Sequence, residues 1–130
     1  MADLLNTGLK WLEDQRHEHL TRQITYERGA ESVTLLATIG KSDFEQIDEF
    51  GVVHRAQARD FLVRAQDVAI GGSPTLPQAG DRIRETEGAV TYVHEVMSPA
   101  GQPPWRYSDA FRRTLRIHTK LVSLDTPQPA

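Results

Sequence analysis

The sequence predicts a mainly β domain, a small β-barrel or sandwich of about seven short strands with one N-terminal helix and long loops. Three observations carry this. The hydrophobic period changes from helical spacing to alternation near Arg22. Turn signals built on Gly and Pro then recur between short alternating runs. Finally, 130 residues with 38% hydrophobic content, two Trp and four Phe suit one modest core.

The elements follow in order. In residues 1–21, Asp3 can cap a helix whose Leu5, Leu9 and Leu12 share a face beside Trp11, although Gly8 weakens it by about 1 kcal/mol relative to Ala. Residues 22–124 form the β domain. Ile24 and Tyr26 alternate in a first strand, Gly29–Ser32 turns, and Val33, Leu35, Ala37 and Ile39 line a second strand that Gly40 ends. Residues 41–51 are acidic and carry Phe44, Ile47 and Phe50 at wide spacing. Too little apolar content to order the segment securely predicts a long mobile loop.

Val52–Ala58 and Phe61–Gln66 are two strands or one long bent strand. The segment 69–78, with Gly71, Gly72, Pro74 and Pro77, is a second mobile loop, and Gly80 precedes a strand starting at Asp81 or Arg82. A strand around Tyr92 leads to a third irregular segment, 98–109. The last strand places Leu115, Ile117, Thr119 and Leu121 inward and Arg116, His118 and Lys120 outward. Residues 125–130 read as a disordered tail.

Catalytic and metal chemistry find little support. Without cysteine there is no disulfide, thiolate zinc site or cysteine nucleophile, in keeping with a reducing cytoplasm. The five histidines are dispersed, and His94-Glu95 is followed by Ser98 where a zinc motif needs its second His, so surface or strand histidines are expected. Gly71-Gly72-Ser73 lacks the Lys and the following helix of a phosphate loop. No serine has nucleophile-elbow surroundings. No catalytic, cofactor or metal residues are assigned, and an enzyme is the least supported reading.

Charge narrows the partners. Eighteen acidic and fifteen basic residues give a net charge of −3 without a basic stripe, which argues against a free-standing nucleic-acid binder. The opening Met-Ala-Asp-Leu-Leu-Asn lacks a basic n-region and long apolar run, and no stretch has the length of a membrane span. A soluble protein without membrane contact is expected. The most unusual string is Pro103-Pro104-Trp105-Arg106-Tyr107, followed by Phe111-Arg112-Arg113. Trp, Tyr and Arg are the types enriched at binding hot spots, while packing of Trp105 and Tyr107 on the barrel is the equal alternative. The candidate interface is therefore Phe44, Ile47 and Phe50 in the acidic segment, opposed by Trp105, Arg106, Tyr107, Arg112 and Arg113. Opposite charge and large apolar groups make these two patches reasonable mates on successive copies, with the basic one also able to line a DNA passage and a merely solvated basic face the standing alternative.

The order Phe61-Leu62-Val63-Arg64, Asp67-Val68, Gly80-Asp81-Arg82-Ile83, Tyr92-Val93, Val96-Met97-Ser98-Pro99 and a terminal arginine-containing strand resembles the lambda-type head–tail joining proteins of long-tailed bacteriophages and prophages, the head completion or attachment class. The resemblance spans about Arg59 to Lys120. It implies a structural virion protein, made in the host cytoplasm, with a small barrel and loops that order on assembly. It further implies a ring of about six or twelve copies that joins the head and its portal or adaptor proteins to the tail, retains packaged DNA and needs no cofactor. A tail-completion or terminator protein of the same neck is the nearest alternative. A small oligonucleotide-binding barrel is more distant and is disfavoured by the acidic balance.

Overall fold

A computed structural model describes residues 21–125. The predicted N-terminal helix therefore lies outside the described residues, as does the tail beyond Asp125. The strands are β1 (Arg22–Arg28), β2 (Glu31–Ile47), β3 (Val53–Arg64), β4 (Ala69–Ile70), β5 (Ser73–Pro74), β6 (Arg82–Glu87), β7 (Val90–Val96), β8 (Trp105–Tyr107) and β9 (Thr114–Asp125). Two single 3₁₀ turns, Ala65–Asp67 and Pro99–Gly101, are the helical pieces among the described residues. The chain is thus mainly β, with seven strands in one sheet and β4–β5 forming a separate two-stranded ribbon.

Every pairing is antiparallel. β2 pairs with β1 and β3, β1 with β6, β6 with β7, and β7 with β9. β9 also pairs with β3, from Arg59↔Thr119 to Arg64↔Thr114, so the circuit of pairings returns to its start. β8 lies along β9 beyond the end of β7.

Alternation explains which side chains meet. One inward layer is apolar: Ile24, Leu35, Ala37, Phe61, Val63, Ile83, Val96, Leu115 and Ile117 are buried together with Tyr26. That end is held by Asp81, which accepts from the Tyr26 hydroxyl and from Arg28 Nη2 at 2.8 Å and Gln78 N at 3.0 Å. Arg28 Nη2 also donates to the Leu76 carbonyl at 2.8 Å, which ties the segment before β6 to β1.

The expected strand ends and side-chain exposures need correction. β2 does not stop at Gly40 but runs on to Ile47, paired throughout with β3. Residues 41–51 are accordingly the far half of a hairpin with β3, because backbone pairing satisfies the segment where side-chain burial cannot. In β9, His118 keeps its outward facing but is buried, since Asp60 on the outer face of β3 accepts from Arg116 Nη1 at 2.7 Å and bonds His118 Nδ1 at 2.9 Å. Leu121 is half exposed because β9 has left β3 by that point. Within 98–109, Trp105–Tyr107 pairs with β9, so part of the expected loop is strand.

Candidate functional site

Two features stand out once the strands are placed: a projecting arm and an open cavity at its base. The arm is the hairpin from Asp43 to Gln57. β1 pairs with β2 only up to Ala37, and β9 pairs with β3 only from Arg59. Both outer edges of the arm are therefore without a strand partner among the described residues. Its turn is built by Asp48, whose Oδ1 accepts from Phe50 N at 2.9 Å and Val52 N at 3.0 Å. Gly51, at φ 78°, supplies the left-handed backbone the turn requires. The Asp48 carboxyl also meets His54 Nε2 at 2.8 Å, and with these hydrogen bonds it is held below the usual carboxylate range.

This turn displays apolar side chains. Phe50 is 82% and Ile47 69% exposed, with Val52 and Val53 beside them about half exposed. Phe44 belongs to the arm's base instead, edge-on to the His118 ring with centroids 5.1 Å apart.

The predicted basic patch lies at the other end of β3. Tyr107 pairs with Leu115, which pairs with Val63, ten residues from Val53 and so roughly 30 Å along the strand. The two candidate patches do not meet within one subunit. Trp105 and Tyr107 are half-buried against the core and T-stacked on each other at 5.1 Å. Arg106 and Arg112 are exposed, Arg113 is half-buried, and Arg112 and Arg113 lie over the rings of Tyr107 and Phe111.

The cavity, about 780 Å³, opens where β3 and β9 separate. Lys41, Ala58, Arg59, Thr119, Lys120 and Leu121 form its arm side and rim, and Glu85, Tyr92 and His94 line the opposite wall. Lys41, Arg59, Thr119, Leu121, Glu85, Tyr92 and His94 share the parity of the apolar layer on their strands, so this face of the sheet changes from apolar to polar along the strands. Glu85 is buried and paired with Arg22 Nη1 at 2.6 Å and Arg59 Nη2 at 2.8 Å. His94 stacks edge-on to Phe61 at 5.2 Å, and its Nε2 is 3.5 Å from Glu85 Oε1, long for a hydrogen bond. Burial, and then the Arg59 cation, push the His94 pKa below its ordinary value.

Sequence reasoning missed Arg22, Arg59, Glu85 and His94. The available signal was phase: Arg22 with Ile24, Arg59 with Phe61, Glu85 with Ile83 and His94 with Val96 share the inward parity of their strands. It also missed the arm's turn, whose Asp48-Glu49-Phe50-Gly51 has the Asp-first, Gly-last pattern of a tight turn.

Among the described residues no group of three or more His, Asp or Glu is placed to hold a metal ion, and no helix is long and apolar enough to cross a membrane. The features in view are surfaces: an apolar tip, an open polar mouth and a cationic aromatic patch. A comparison with curated proteins finds no match. A family model described as phage head-tail joining protein matches residues 2–126, and the chain belongs to that family.

Proposed function

We propose that the protein is a neck component of the virion, a small closed barrel whose copies assemble into a ring between head and tail and help retain packaged DNA. Family membership supplies the structural role at the head–tail junction. The circuit of strand pairings supports the barrel, and the observation that supports assembly is the arm, with edges unpaired among the described residues and the exposed Ile47 and Phe50 at its tip. Exposed apolar side chains on an unpaired edge mark an interaction surface. The Trp105–Arg113 patch, at the opposite end of β3, faces a different neighbour: portal, adaptor or tail protein, with Arg106 and Arg112 able to approach DNA phosphates.

The arm gains its remaining hydrogen-bond partners on assembly, so its amides exchange faster in the free subunit than in the ring. The deciding experiment places Ile47→Asp with Phe50→Asp in a phage as the sole copy of the gene. Filled heads and complete tails should accumulate unjoined, while the purified variant stays folded. Normally joined particles would refute the arm's role. Recovery of the wild-type protein on free tails and never on heads would assign it to terminating the tail.

A further inference from the structure

We infer that the open mouth at the base of the arm is the receptor for the arm of a second copy, an inference that rests on the ring reading above. β3 and β9 are paired only as far as Arg59↔Thr119. Beyond that point the Val53–Ala58 edge of β3 and the Lys120–Asp125 edge of β9 diverge, and neither has another partner strand among the described residues. The wedge between them presents two rows of backbone donors and acceptors of the kind an added strand completes.

Side chains agree with the backbone. β9 exposes Leu121, Val122 and Leu124 beside the wedge, apolar surface that matches the Ile47 and Phe50 of an incoming tip. The arm carries Asp43, Glu45, Asp48 and Glu49 against Arg55. At the mouth, Lys41 and Lys120 are exposed and unpaired among the described residues and outnumber the exposed Glu87, while Glu85 is already neutralised by Arg22 and Arg59. An acidic arm approaching two available ammonium groups is electrostatically favoured.

A further observation comes from the cavity wall. His94 is 3% exposed, yet neither ring nitrogen has a hydrogen-bond partner of good geometry, and Arg59 Nε is likewise unsatisfied. Buried polar groups are nearly always paired, so orphans beside a cavity point to an occupant that brings both acceptors, for Arg59 Nε and the His94 N–H, and a donor for the second nitrogen of the neutral ring.

The occupant is another subunit's arm because a subunit's own arm cannot reach. Gln57, Ala58 and Arg59 line the cavity at the arm's root, and Val53 at the tip is already about 17 Å further along β3. Arm and mouth are different patches, so the contact is heterologous and passes from copy to copy, as a ring requires. The basic patch is the weaker receptor, since Trp105 and Tyr107 already pack on the core and Arg112 and Arg113 already cover neighbouring rings.

The chain has no cysteine, so engineered pairs report on this contact alone. Ile47 and Leu121 both sit at exposed positions, so cysteine at either is expected to leave the fold intact. In assembled full-length protein, the variant carrying both should give, under mild oxidation, a ladder of disulfide-linked multimers, while each single variant stays monomeric on the same non-reducing gel. Dimers from Ile47→Cys alone would mean that arms meet arms, and overturn the proposal. A ladder from Ile47→Cys with Phe111→Cys, and none with Leu121→Cys, would overturn it in favour of the basic patch. Absence of every ladder from assembled protein would also overturn it. The phage experiment above tests the neck role by unjoined particles, so failure of that role and failure of this contact are read separately.

Discussion

At the scale of single residues, the buried ionisable groups make stability depend on pH in two steps. His94 has a folded pKa below that of the unfolded chain, 6.5 in the absence of the fold. The stabilisation from keeping it neutral is complete above that value and is lost as pH falls through it, because the unfolded chain takes up a proton first. Unfolding free energy should fall between pH 7 and pH 5 with a slope of up to about 1.4 kcal/mol per pH unit from this group. His94→Gln should flatten that limb in urea titrations at several pH values; an unchanged profile would show that His94 does not carry it. Asp60 and Asp81 act lower. Burial alone would raise both, but His118, Ser42 and Arg116 outweigh it at Asp60, and Arg28, Tyr26 and the Gln78 amide at Asp81, so both end below the usual value. Their stabilisation is present above the unfolded value of 3.8 and is lost as pH falls further. None of these partnerships was legible in the sequence. Asp60 and His118 are adjacent only because the β3–β9 register sets them opposite each other.

At the scale of elements, β2 shows where sequence reasoning worked and where it stopped. Val33, Leu35, Ala37 and Ile39 alternate, and the paired strand is there. Past Gly40 the apolar signal fades because the arm buries little, and the spacing of Phe44, Ile47 and Phe50 has no strand period. Gly40 is not a terminator but a gap through which Arg116 passes. A Cβ there would lie 3.2 Å from Leu62 Cδ1 and 3.3 Å from Arg116 Nη1. Valine would raise strand propensity but push the guanidinium away from buried Asp60. We expect Gly40→Val to destabilise by about 1–3 kcal/mol in urea unfolding. Unchanged stability would mean that Arg116 can swing aside and keep its bond.

At the scale of the whole molecule, the mainly β content and the family were both within reach of the sequence, since alternation, turn residues and feature order are local. The joining of β3 to β9 was not, because nothing local encodes which distant strand completes a circuit. The same applies to the placement of the two candidate patches at opposite ends of one strand. Their differing burial separates fold from assembly. Trp105→Ala should remain folded but lose about 1–3 kcal/mol, as truncation of a half-buried core-packed ring requires, and should also weaken assembly. A lower melting temperature with unaltered assembly would assign Trp105 to the fold alone.

The Asp48 turn has a kinetic meaning. Its side chain bonds the two amides that shape the tip, so Phe50 is already held outward in a solitary subunit. Such preorganisation removes much of the ordering penalty from the encounter step. Committed collisions then depend on how many subunits are near each other. On the proposed docking of arm into mouth, free subunits persist at low concentration and docking accelerates where they are gathered.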